Sequence, residues 1–165
     1  MTIAQGERLP QAQLTIMGES GPTPIDAAEL MGEGTTVLFS VPGAFTPTCS
    51  AKHLPGFIEH ADALREAGAD RIVCMAVNDI FVMDAWGKAA GVSEDDANRI
   101  VMAADGNGDF AQALGLEMDG RAFGMGLRSQ RFALVVRDGV VEQLLVEAPG
   151  EFRVSSAEHV LSVLG

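Results

Sequence analysis

The chain has 165 residues, 47% hydrophobic and 21% charged, which is enough apolar material for one packed domain over 1–165 and too much for a disordered chain. Its 11 Lys and Arg face 23 Asp and Glu, and the resulting formal charge of −12 repels phosphate backbones and anionic lipid, so nucleic acid and membrane surfaces are not expected partners. No apolar run approaches the ~20 residues of a membrane span, and residues 1–10 lack the apolar stretch of a signal peptide. Two cysteines, Cys49 and Cys74, cannot build a disulfide framework of the secreted kind, so a reducing, cytoplasmic compartment is expected.

Along the chain, residues 35–40 (Thr-Thr-Val-Leu-Phe-Ser) form a β-branched and aromatic run between Gly34 and Pro42 and read as a buried strand. From 49 to 67 the apolar residues Leu54, Phe57, Ile58, Ala61 and Leu64 recur at helical spacing, up to a stop at Gly68. Residues 71–77 are continuously apolar after Arg71, as in a strand covered on both faces. A helix over 80–90 closing at Gly91, a short strand over 100–104 and a short helix over 109–114 closing at Gly115 follow. Strands at 131–136 and 140–146 flank Arg137-Asp138-Gly139, a strong hairpin signal. Ser155-Ser156-Ala157-Glu158 then starts a terminal helix running to Leu164. Strands alternating with helices and ending in an antiparallel hairpin predict an α/β fold with a mixed central sheet flanked by helices, for which the thioredoxin-like arrangement is the natural candidate.

The chemistry concentrates in Pro42-Gly43-Ala44-Phe45-Thr46-Pro47-Thr48-Cys49, between the first strand and the long helix. This places Cys49 near a helix N-terminus, where unpaired N–H groups and the positive end of the dipole favour a thiolate. Pro47 restricts how the loop enters the helix. Thr46 stands within reach of the sulfur or of an oxygen beside it. A free cysteine is more often a small buried hydrophobe, and the Pro/Gly-rich loop ahead of Cys49 argues against that reading.

The spacing Pro42-x-x-x-Thr46-x-x-Cys49 resembles the peroxiredoxin active-site pattern. Gly43-Ala44-Phe45-Thr46-Pro47 and His53-Leu54-Pro55-Gly56-Phe57 are similar to the type II subfamily. Further similarities follow in the family's order at Ala76-Val77-Asn78-Asp79, Ala85-Trp86-Gly87-Lys88, Asp105-Gly106-Asn107-Gly108-Asp109-Phe110, Ala113-Leu114-Gly115-Leu116 and Arg131-Phe132-Ala133-Leu134-Val135-Val136. The resemblance implies a thiol peroxidase that reduces hydrogen peroxide and alkyl hydroperoxides, with Cys49 as the nucleophile passing through a sulfenic acid. It implies that Thr46 hydrogen-bonds the thiolate and the peroxide, that Arg131 brings its guanidinium to the sulfur and the departing oxygen, and that Pro42 shields the sulfenate. Arg128, three residues earlier in a Gly-rich stretch, is either a supporting residue of the site or a solvated charge. A homodimer without cofactor is implied as well.

A resolving thiol is harder to find. Animal members of the subfamily carry a cysteine near the C-terminus, whereas Phe152-Arg153-Val154-Ser155-Ser156 has none. Cys74 sits inside the apolar run and is either a structural thiol or a slow resolving one. By resemblance to plant and bacterial members, glutathione with glutaredoxin, or thioredoxin, is the expected reductant. His53 shares a helix face with Cys49 and either supports a thiolate electrostatically or packs in the first turns. Trp86 is either a core anchor or a wall of the cleft. No Cys/His spacing suggests a metal, and Asp105-Gly106-Asn107-Gly108-Asp109 lacks the closing glutamate of a calcium loop and reads as a tight turn. A disulfide oxidoreductase of thioredoxin type needs Cys-x-x-Cys, which Cys49-Ser50-Ala51-Lys52 does not supply. A redox-sensing binding module would have no need of the full Pro42, Thr46, Arg131 set.

Overall fold

The computed structural model describes residues 1–92 and 100–164. At its centre lies β3 (Thr35–Val41), all seven of whose residues are buried. β4 (Arg71–Ala76) runs parallel to it, and β5 (Val101–Ala104) runs parallel to β4. On the other side β8 (Phe132–Arg137) pairs antiparallel with β3, and β9 (Val140–Val146) pairs antiparallel with β8. The far edge is a hairpin that the sequence reading left unassigned, β1 (Gln13–Gly18) and β2 (Gly21–Asp26), with β1 antiparallel to β5. The resulting order is β2-β1-β5-β4-β3-β8-β9. Pro22 and Pro24 lie in β2, where an edge strand tolerates residues that cannot donate to a ladder. Their presence is also what hides that strand from periodicity. The expected mixed sheet is therefore present, and larger than expected.

Period-two alternation sorts the sheet's two faces. Val37, Phe39, Val41, Ile72, Cys74 and Ala76 point to a core shared with α2 (Leu54–Glu66), α3 (Ile80–Ala90) and α5 (Ala157–Val163). Leu38, Val73, Met75, Leu134 and Val136 point the other way, toward α1 (Ala27–Leu30) and α4 (Asp109–Leu114). The Asp138-Gly139 turn has φ of 50° and 81°, the left-handed pair that matches strand twist in a two-residue hairpin. Asp105 is buried, and its carboxylate accepts the N–H groups of Phe110 at 3.0 Å and Ala111 at 2.8 Å, so it caps α4. A small antiparallel ribbon, β6 (Glu117–Asp119) with β7 (Leu127–Ser129), leads into β8.

The long helix departs from the regular helix predicted over 49–67. Residues Cys49–His53 form a π-helical turn, in which the Leu54 N–H reaches back to the Cys49 carbonyl. Pro55 explains the defect, because it has no N–H to give the Ala51 carbonyl four residues back, and the turn widens instead. Beneath it Phe57 stacks on Phe39 of β3, with ring centroids 4.0 Å apart and planes 4° from parallel. That stack locks the start of α2 onto the central strand. Phe57→Ala should therefore cost about 3–5 kcal/mol, read as a lowered urea midpoint with unchanged far-UV circular dichroism at zero urea.

Candidate active site

The loop from Pro42 to Thr46 leaves the end of β3 and turns back into the helix. Phe45 takes a left-handed φ of 63°, an unfavourable conformation for a residue with a side chain. Neighbours hold it there. The Asn78 side-chain oxygen accepts the Ala44 N–H at 2.9 Å, and the Phe45 ring lies 6.5 Å from that of Trp86. A Cβ at Gly43 would lie 2.9 Å from Arg128 Nη1 and 3.2 Å from Thr46 Cγ2, so a larger residue there would displace the end of the arginine. The Ser50 N–H donates to the Thr46 carbonyl at 2.9 Å, which sets Cys49 in the first turn of the helix.

Cys49 is buried, and its sulfur accepts a hydrogen bond from Arg131 Nη2 at 3.1 Å. The arginine stands one residue before β8. The pairing of Ser40 with Phe132 carries it to the end of β3 where the loop begins. Its other terminal nitrogen, Nη1, donates to His53 Nδ1 at 2.7 Å, and the Phe152 ring centroid lies 5.8 Å from Cζ. Because a guanidinium can only donate, His53 Nδ1 must carry a lone pair. Its proton then sits on Nε2, which donates to the Ser155 carbonyl at 2.9 Å. Burial, and then the neighbouring Arg131 charge, push the His53 pKa down from 6.5 to about 3. The imidazole is neutral at physiological pH, so of the two readings open for His53, lending positive charge to a thiolate is ruled out.

Ser155 is itself clamped. The Glu147 carboxylate accepts from Ser155 N at 2.8 Å, Ser155 Oγ at 2.6 Å and Arg153 N at 2.7 Å. Burial alone would raise the pKa of Glu147, but the bonds from Ser155 and its neighbours outweigh it and hold the group below the ordinary carboxylate range.

Thr46 donates its hydroxyl proton to the Gly43 carbonyl at 2.6 Å rather than to the sulfur. Arg128 donates from Nε to the Met125 carbonyl at 2.9 Å and from Nη1 to the Pro42 carbonyl at 3.4 Å, so it braces the loop and leaves the sulfur to Arg131. Trp86 is buried and donates to Ser50 Oγ at 3.0 Å, anchoring the helix start from behind. Cys74 lies in β4 beside Phe39 of β3, fully buried, on the same face of the sheet that packs Cys49. Burial first, and the adjacent Cys49 second, push its thiol pKa well up. Above Arg131 opens a cleft of about 650 Å³ bordered by Pro42, Thr48, Lys52, Glu147 and Phe152.

The chain matches the Redoxin family over residues 4–161. It is 47% identical to Peroxiredoxin-2E-2, chloroplastic, of Oryza sativa subsp. japonica, over 99% of this chain and 73% of that one. It is 44% identical to Peroxiredoxin-2B of Arabidopsis thaliana, over 98% of each. Among solved structures, reduced Prx3 of Vibrio vulnificus in complex with H2O2 superposes with a TM-score of 0.93 at 50% identity, over 99% of this chain and 100% of that one. The chain belongs to the peroxiredoxins, in their type II branch. It is a thiol peroxidase with the thioredoxin-like fold. No helix among the described residues is long and apolar enough to cross a membrane.

In this peroxiredoxin the sequence reading missed Glu147, Ser155 and Asn78 as parts of the site. A carboxylate directly after an apolar strand and a serine pair before a helix were visible, but nothing local tied them to Cys49.

The neutral His53 has a consequence for stability. Below pH 6.5 the unfolded chain takes up a proton that the folded chain refuses, so the stabilisation is complete above pH 6.5 and is lost progressively toward about pH 3. Glu147 adds a loss at lower pH, running from its ordinary value of 4.5 downward through its lowered folded pKa. Urea midpoints should fall as pH drops from 6.5 to 4.5, and the slope over that interval should flatten in His53→Gln.

Proposed function

We propose that Cys49 is the nucleophile of the peroxidase reaction, with Arg131, Thr46 and Pro42 around the substrate. The observation carrying this reading is the 3.1 Å contact between Nη2 of Arg131, which borders the cleft, and the buried Cys49 Sγ. The thiolate attacks the terminal oxygen of ROOH, an S–O bond forms with two electrons from sulfur, and the O–O bond breaks. The departing RO⁻ takes a proton to leave as ROH, and Cys49 is left as a sulfenic acid. A guanidinium next to the sulfur also stands next to the oxygen on which charge develops, where its remaining N–H groups act as an oxyanion site. With its own proton held by Gly43, Thr46 offers lone pairs that accept the hydroperoxide O–H. Pro42, half-buried at the cleft's edge, limits the water reaching the sulfur.

Recycling is assigned to an external thiol, glutathione with glutaredoxin or thioredoxin, in a cytoplasmic setting. Two features support this: Phe152–Ser156 offers no cysteine, and Cys74 is a buried thiol whose ionisation is disfavoured. The cleft is large enough for a tripeptide thiol. A homodimer is supported by the exposed apolar side chains Phe45, Phe81, Phe123 and Leu127, since Phe45 rests on Trp86 of α3, the helix that also carries Phe81.

Cys49→Ser should abolish peroxide consumption, while Cys74→Ser should keep most of it with glutathione and glutaredoxin. Loss of turnover in the Cys74 variant with every reductant would make Cys74 the resolving thiol. Arg131→Ala should slow peroxide attack by more than its thiolate fraction explains, with rates at each pH divided by that fraction. Equal thiolate-specific rates would reduce Arg131 to an influence on ionisation alone.

A further inference from the structure

Arg131 makes no ion pair with a carboxylate among the described residues; its charged end meets a sulfur, a neutral imidazole and an aromatic face. Arg131 is half-buried, and arginines drawn out of water ordinarily pair with carboxylates. A carboxylate in the place of His53 would fix the guanidinium equally well, but it would cancel much of the positive charge felt at Cys49 and at the oxygen leaving it. A neutral acceptor fixes the orientation and leaves the charge intact.

The imidazole is in turn fixed from all sides. Its ring centroid lies 4.8 Å from that of Phe152, 4.9 Å from that of Phe39 and 5.6 Å from that of Phe57. Its Nε2–H is held by the Ser155 carbonyl, and Ser155 is held through N and Oγ by Glu147. The lone pair on Nδ1 therefore has one direction, toward Arg131 Nη1. Glu147 returns to the arginine as well, since its backbone N–H donates to the Arg131 carbonyl at 3.0 Å.

We propose that His53 is a positioning residue for peroxide reduction: as a neutral hydrogen-bond acceptor, seated on the Ser155 carbonyl, it aims the Arg131 guanidinium at Cys49 and the departing oxygen without neutralising it. This rests on the reading that Arg131 stabilises the breaking O–O bond. The geometry selects the Nε2–H tautomer, and burial favours the neutral ring over the imidazolium.

Two near-isosteres separate the two contacts of the ring. In His53→Asn the amide oxygen takes the place of Nδ1 and can accept from Arg131, while the link to Ser155 is lost. In His53→Gln the amide nitrogen takes the place of Nε2 and can donate to Ser155, while the acceptor for Arg131 is lost. The rate of Cys49 oxidation by H2O2 is measured by stopped flow for wild type, both His53 variants, Arg131→Ala and the His53→Gln/Arg131→Ala double variant. Iodoacetamide alkylation gives the thiolate fraction against pH, and thermal unfolding confirms that each protein is folded.

His53→Gln should lose about tenfold or more in thiolate-specific rate, His53→Asn should stay within about threefold of wild type, and the double variant should be no slower than Arg131→Ala. If Arg131→Ala keeps its thiolate-specific rate, the reading of Arg131 fails and the proposal with it. If Arg131→Ala is slow but His53→Gln matches wild type, the role of Arg131 stands and the proposal alone is overturned. Additive losses in the double variant, or equal losses in Asn and Gln, also overturn it, because either would mean that His53 acts through general packing. Should His53→Gln prove unfolded, the Asn variant decides alone: a tenfold loss in a folded His53→Asn would overturn the proposal.

Discussion

Everything at the site depends on keeping an un-neutralised positive charge beside a buried sulfur. Removing a guanidinium from water is costly unless its N–H groups find acceptors. Here one acceptor is the uncharged imidazole, His53 Nδ1 at 2.7 Å, another is Cys49 Sγ at 3.1 Å, and the cleft leaves the remaining surface in contact with solvent. The aromatic rings of Phe39, Phe57 and Phe152 exclude water from the far side of the imidazole. The guanidinium is thus anchored by groups that do not compete electrostatically with the chemistry.

The sheet makes that arrangement possible through register. Because Ser40 pairs with Phe132, the residue before β8 must emerge beside the residues that follow β3. Arg131 and the Pro42 loop meet there, although 89 positions separate them in the chain. A one-residue slip would turn the arginine to the opposite face. The register is protected by the alternation of β8, whose Ala133 and Val135 enter the core shared with Cys49 while Phe132, Leu134 and Val136 enter the other. Packing energy on both faces of β8 therefore fixes a polar contact at its end.

Much of this was legible in the sequence, and each part that was not has its own physical reason. The strand at 35–40, the helix at 80–90 and the Asp138-Gly139 hairpin were visible because period and turn chemistry are local signals. The Pro42, Thr46, Cys49 spacing was equally local, and Arg131 was found through the family pattern at the start of an apolar strand. The β1–β2 hairpin escaped because Pro22, Pro24 and several exposed residues hide its alternation. The π-helical turn escaped because the periodicity of Leu54, Phe57, Ile58 and Leu64 survives it, and Pro55 was the only mark. Glu147, Ser155 and the acceptor role of His53 escaped because they exist only where the end of β9, the start of α5 and the start of α2 converge. The direction of the Thr46 hydroxyl, toward Gly43, is likewise a property of the folded loop.

The formal charge of −12 opposes, through its general field, the negative charge that a cysteine nucleophile would carry. Distance resolves the conflict. Exposed charges farther than about 8 Å are largely screened at physiological salt, whereas Arg131 stands 3.1 Å from a sulfur that is fully buried. The two cysteines make the same point by contrast. Both are fully buried, on one face of one sheet, within the same apolar core. Cys74 has only Phe39, Met102 and the rest of that core around it, and its ionisation is opposed by burial and by Cys49 alike. Cys49 has the first turn of a helix and a guanidinium that makes no ion pair with a carboxylate among the described residues. Burial by itself silences a thiol, and what sets Cys49 apart from Cys74 within the same core is the guanidinium 3.1 Å from its sulfur.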